Sequence, residues 1–284
     1  MDNKEIIASL EKLNLSSYPY DEVKRLVSQF QPKILRLTIS SGAIIERIRP
    51  DVDVFERQEV SYRPANKNKR IQRATLPHKT AFYGTICHNE DPLYKNRQIA
   101  LLESSKLLKN GKNAEGTEHY TISRWQTNDS LKLAVFVHDS IYPDVNNNKL
   151  LSMAKDAFLK YRSFLDEPLQ FDVYEKYVTE QFAKPVDSLK DYEYIITATI
   201  AEMLMFASRV DGVMYPSVPS LGQYGMNLAL RPDIADAKLV LREVNEMVYN
   251  QMNGEGRFSF QKRAIPDDVD AYGIKKWHYE NYYE

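Results

Sequence analysis

Cysteine is nearly absent. Cys87 stands alone among 284 residues, which excludes an internal disulfide and any metal site built from several thiolates. Charge of one sign is scarce too: 38 Lys and Arg against 39 Asp and Glu leave a net −1, so no overall field draws the chain to nucleic acid or an anionic membrane. Long apolar runs are missing. The longest apolar-rich stretch, Tyr194–Ala207, is interrupted by Glu202 and is too short to span a bilayer. The opening MDNKEIIASLEKLNL is acidic early and lacks an apolar core, so it does not read as a secretory signal. A reducing cytoplasm is the simplest home. The phosphate loop G-x-x-x-x-G-K-[ST], the zinc helix H-E-x-x-H and the fingerprint G-x-G-x-x-G are also absent. Gly222 and Gly225 precede a strand-like run, not the helix whose N-terminus would hold a pyrophosphate. His78, His88, His119, His138 and His278 are scattered singly, and Cys87 and His88, as strand neighbours, face opposite sides. No metal site is expected.

What is present fits a soluble globular chain, 43% apolar and 27% charged. Helical spacing of Ile6, Ile7, Leu10 and Leu13, then of Val23, Leu26, Val27 and Phe30, predicts two N-terminal helices, the second capped by Asp21. From Lys33 the pattern changes to short alternating runs, KILRLTIS and IIERIR, which read as strands. A long polar loop, YRPANKNKRIQRATLPHKT, leads into the strand AFYGTI. Asn96–Leu108 is helical, and EHYTISRW and LKLAVFV read as a strand pair joined by Thr127–Ser130. Three helices follow near Lys149–Phe164, Val173–Phe182 and Leu189–Ala207, then the strands GVMYPS and MNLAL. The irregular order of strands and helices favours a mixed α+β fold over a doubly wound parallel sheet. The expected organisation is a helical extension over 1–32, a core domain over 33–249 and a C-terminal tail over 250–284 carrying Trp277, Tyr279, Tyr282 and Tyr283, for which packing back on the domain is favoured over binding a partner.

Four places carry chemistry. Arg47 and Arg49, two apart at a strand end, project to one side and suit a diphosphate, although a solvated strand face has the same spacing. Arg70 and Arg73 precede Phe82 and Tyr83, a pairing of cations and aromatics able to grip a nucleotide or simply to line a basic loop. Glu103 shares a helical stripe with Ile99 and Leu107, and Glu202 sits in a similar stripe, so periodicity does not choose between them. Ser217 follows a strand in D-G-V-M-Y-P-S, with Asn227 ten residues on; no His sits in a triad context beside it.

The order of these features resembles the RES domain family, named for its Arg, Glu and Ser. The match runs from a strand-end Arg through R-A-T-x-P and FYG to A-L-L-E, then to D-G-V-M-Y-P-S-V and G-x-N-L-A-L, over roughly Lys33 to Val244. The resemblance implies a sheet core like that of ADP-ribosyltransferases with several flanking helices, and it favours Glu103 over Glu202. It makes Arg49 or Arg47 the family arginine, Glu103 the glutamate and Ser217 the serine, with Arg73, Tyr83 and Asn227 binding substrate. Gln72-Arg73-Ala74-Thr75 departs from the G-R-W-N-like run of shorter members. The implied activity is cleavage of the nicotinamide–ribose bond of NAD+, a substrate here and not a cofactor, by hydrolysis or phosphorolysis with phosphate as second substrate. Toxins with protein antitoxins belong to this family, so a toxin or defence effector with a protein inhibitor is one expected setting. Transfer of ADP-ribose to a macromolecule and a non-catalytic binding module are the alternatives.

Overall fold

The computed structural model describes residues 1–30, 33–50, 56–88, 94–111, 113–143, 147–187, 189–207, 210–220, 222–223, 225–264, 269 and 274–279. Tyr282 and Tyr283 of the expected aromatic tail lie outside them. The helices are α1 (Asn3–Glu11), α2 (Tyr20–Val27), α3 (Arg57–Val60), α4 (Tyr94–Ser104), α5 (Lys106–Asn110), α6 (Lys149–Ser163), α7 (Pro168–Ala183), α8 (Ile195–Ala207) and α9 (Pro232–Lys238). The strands are β1 (Arg36–Ile39), β2 (Ile44–Pro50), β3 (Phe82–Ile86), β4 (Gly116–Thr127), β5 (Leu131–Val135), β6 (Gly212–Pro216), β7 (Met226–Leu230), β8 (Leu239–Met252), β9 (Glu255–Ala264) and β10 (His278–Tyr279). They form one sheet in the order β1-β5-β6-β7-β3-β2-β4-β8-β9-β10, antiparallel except for the β5–β6 pair. The chain is therefore mixed α+β with a large, mostly antiparallel sheet.

Both faces of the central strands are covered, which explains why GVMYP and MNLAL read as continuous apolar runs instead of alternating ones. On one face Met214, Leu228, Phe82 and Trp125 pack with Leu151, Ala154 and Phe158 of α6. On the other, Val213, Tyr215 and Ala229 pack with Phe182 of α7 and Ile195 and Ala198 of α8. Ile6 and Leu10 of α1 and Val23 and Leu26 of α2 belong to this second cluster. A capping box between Asp2 and Glu5 starts α1. The N-terminal helices form as the spacing predicts, but they are a wall of the core and not an appended extension.

Three other expectations change. EHYTISRW and LKLAVFV are strands, yet β4 and β5 do not pair: both edges of β4 are taken by β2 and β8, while β5 lies between β1 and β6. The expected boundary at 249/250 falls inside β8, because Asn253 and Gly254, both at positive φ, turn the chain into β9. The helix expected over Asn96–Leu108 breaks at Ser105, whose extended backbone ends α4 and whose hydroxyl caps α5 by accepting from Leu108 N at 3.0 Å. Among the described residues, no helix is long and apolar enough to cross a membrane.

Glu175, on the buried face of α7, accepts a hydrogen bond from Val137 N at 3.2 Å. Burial pushes its pKa up to about 8. The folded state thus holds a proton that the unfolded chain releases near its ordinary carboxylate pKa. This contribution is full below the ordinary carboxylate pKa and is lost progressively from there as pH rises to about 8. Glu175→Gln keeps the shape without the titration, so thermal unfolding of the variant should show a shallower loss of Tm between about pH 5 and about pH 8 than the parent.

Candidate active site

Strands β2 and β3 pair only at Ile45–Ile86 and Glu46–Thr85, then part. Strand β3 meanwhile pairs with β7 along its whole length, from Phe82–Leu230 to Ile86–Met226. The parting leaves Tyr83 with a carbonyl facing no strand, and Arg47 Nη1 donates to it at 2.5 Å. Two adjoining clefts open there. The first, about 150 Å³, is lined by Arg47, Tyr83, Glu103, Tyr215 and Asn227 among others. The second, about 220 Å³, shares Arg47, Ile48 and Tyr83 with it and adds Arg49, Arg63 and Gln72.

Glu103 lies in the last turn of α4, and its Oε1 accepts from Ser217 Oγ at 2.8 Å and from Asn227 Nδ2 at 2.6 Å. Ser217 is fully buried just past β6, and Asn227 stands in β7 opposite Tyr215 and Thr85. Gly225 permits the meeting. A Cβ there would fall 2.4 Å from Ile99 Cδ1, 2.7 Å from Cys87 Sγ and 3.0 Å from Ile86 O, so any larger residue must push the Ile99 and Cys87 side chains aside for the β6–β7 connection to lie this close to α4. Lys109 Nζ donates to the Glu103 carbonyl, tying α5 to the end of α4.

Arg47 Nε is buried without a hydrogen-bond partner, and the guanidinium lies 5.5 Å from the Phe82 ring centroid. Burial first, then the like charges of Arg49 and Arg63, pull its pKa down to about 9. Arg49 donates to Glu59 O at 2.6 Å and is also lowered, by burial and then by Arg63. Tyr83 accepts from Ala74 N at 3.1 Å and shares a 3.0 Å hydrogen bond with Thr75 Oγ1; burial pushes its phenol up to about 12.

The sequence-predicted residues are thus largely brought together: Arg47, Tyr83, Glu103, Ser217 and Asn227 form one cluster. Between the two arginines, Arg47 lines the cleft that holds Glu103, whereas Arg49 lines only the second. Arg73 lines neither cleft. Its Nη1 donates to Phe182 O at 2.7 Å and both its terminal nitrogens reach Lys184 O at 3.1 Å, capping the end of α7, and its guanidinium stacks on Tyr194 at 4.7 Å. Arg70 is exposed and lines neither. Glu202 pairs with Lys79 at 3.5 Å in a different and larger cavity of about 850 Å³ between α2 and α8. The sequence reading missed Tyr215, although it lies inside the quoted Y-P-S segment, and Arg63, which carried no signal within its polar loop. Among the described residues, no group of three or more His, Cys, Asp and Glu could hold a metal ion. No protein-family model matches the chain, and no curated protein matches it in sequence.

Gly225→Ala should force α4 away from the β6–β7 connection. Overpacking of this kind costs about 1–3 kcal/mol, which a denaturant titration would read as a lowered midpoint with an unchanged slope.

Proposed function

We propose that the chain consumes NAD+ by breaking the nicotinamide–ribose bond, by hydrolysis or phosphorolysis, with Glu103 as the central carboxylate. The observation that carries this reading is the pair of donors, Ser217 Oγ and Asn227 Nδ2, on one oxygen of Glu103 at the wall of a cleft that also presents Arg47. Cleavage sends the C–N bonding pair to nicotinamide, which leaves neutral, and puts positive charge on the ribose. A carboxylate held in one orientation stabilises that charge as it develops, with no reorganisation at the moment of reaction. The ribose then takes an oxygen from water, which loses a proton, or from phosphate.

Arg47 meets the diphosphate, where a guanidinium fork pairs two oxygens, and Tyr83 forms the wall beside the ribose and nicotinamide. Arg73, with its guanidinium engaged by α7, acts instead as a positioning residue for the segment whose Ala74 and Thr75 hold the Tyr83 hydroxyl. The mostly antiparallel sheet, with its cleft where β2 and β3 part, is compatible with an ADP-ribosyltransferase-like core. A toxin or defence effector acting on cytoplasmic NAD+, restrained by a protein inhibitor, is the biological setting this reading implies.

Incubating the purified chain with NAD+, with and without phosphate, and following nicotinamide release tests the proposal. Release is expected in at least one condition, and Glu103→Gln should slow it by roughly 10²–10³-fold with an unchanged circular dichroism spectrum. Folded protein that releases none in either condition overturns the reading.

A further inference from the structure

The second cleft holds more positive charge than a diphosphate needs. Arg47, Arg49 and Arg63 all line it, and among the described residues no ion pair joins any of them to a carboxylate. Glu59 alone exerts an opposing field on Arg49, weaker than burial and than the repulsion from Arg63. The opposite face of the same strand shows arginines that are compensated. There the fully buried Glu46 pairs with Arg124 at 2.7 Å and Arg97 at 3.3 Å, and Glu243 pairs with Arg124 at 2.6 Å and Arg263 at 2.9 Å. Guanidinium groups left crowded and unpaired on one face, where the other face pairs its own, mark a site for an anion.

The arrangement also has a direction. Arg47 stands where the two clefts meet, and Arg49 lies one strand repeat further on, about 6.6–6.8 Å along β2, in the cleft that Glu103 does not line. Arg63 joins Arg49 there. Its side chain is exposed but its backbone is anchored, since Thr80 Oγ1 donates to Arg63 O at 2.5 Å. The buried Asn68 clamps the same loop through Leu76 O at 3.2 Å and Lys79 O at 2.9 Å. If Arg47 meets the diphosphate, Arg49 and Arg63 fall on its adenosine side, where two further cations exceed what the two charges of the bridge require.

We propose that Arg49 and Arg63 bind a phosphate carried on the adenosine ribose, so that the preferred substrate is a 2′-phosphorylated nicotinamide dinucleotide, NADP+, over NAD+. Recognition of this phosphate by an arginine near the adenosine ribose is established chemistry on other folds. The inference rests on the reading of the first cleft as the site of nicotinamide–ribose cleavage.

The test compares nicotinamide release from NADP+ and NAD+ by the full chain at equal ionic strength. One added charge-assisted contact predicts kcat/KM at least about tenfold higher for NADP+. Arg63→Gln should bring the ratio of the two values down toward unity. Equal values, or a preference for NAD+, overturn this inference while leaving the cleavage reading intact. Calorimetry with the unmodified protein decides the matter independently of turnover. Adenosine 2′,5′-bisphosphate should bind more tightly than 5′-AMP, with an advantage that shrinks as salt is added. Should neither dinucleotide be cleaved, the cleavage reading fails, and equal binding of the two nucleotides would then overturn the phosphate site as well.

Discussion

A single carboxylate oxygen joins three pieces of chain that are remote in sequence. Glu103 Oε1 draws Ser217 from 114 residues away and Asn227 from 124, and so fixes the end of α4, the exit of β6 and the middle of β7 relative to one another. Hydrogen bonds to a charged group are worth about 1.5–3 kcal/mol each, too little to order such distant segments unaided. The ordering comes from apolar packing, with Ile99 fully buried against the Gly225 connection and both sheet faces covered by helices. The hydrogen bonds then select one orientation of the carboxylate within a framework already set.

The parting of β2 from β3 serves two ends. A buried strand that loses its neighbour leaves backbone acceptors unsatisfied, which is costly unless something else pairs with them. Here a side chain does so: Arg47 donates to Tyr83 O, and in reaching across the gap it places its charge between the two clefts. The same strand sends Glu46 to the other face, into a ladder of ion pairs that crosses β4, β8 and β9. Period-two alternation thus sends Glu46 and Arg47 to opposite faces of β2, although Glu46 also contributes to the wall of the first cleft.

Much of this was legible beforehand. Apolar spacing marked α1, α2 and α6, and the two-residue interval put Arg47 and Arg49 on one face, as the second cleft has them. Glu103, Ser217 and Asn227 were linked only through resemblance; helical periodicity rated Glu202 equally, because a stripe reports which side of a helix is covered and not what covers it. Partner choice was the blind spot. The proximity of β4 and β5 along the chain favoured pairing them, but the long β4 is claimed on both edges by strands whose own sequences say nothing about register. The partners of Arg73 were hidden for a related reason: it donates to the carbonyls at the end of α7, and only the packed structure brings that helix terminus to the loop.

The register of β3 against β7 has a bearing on how the molecule comes into being. Phe82 must wait for Leu230, and Glu103 for Ser217 and Asn227, so a chain emerging from the ribosome carries its acid long before it carries the groups that aim it. Non-local closure of this kind means that truncated or nascent copies lack a formed cleft. Until the chain has been extended past Asn227, the carboxylate that organises this corner of the sheet stands without either of its donors.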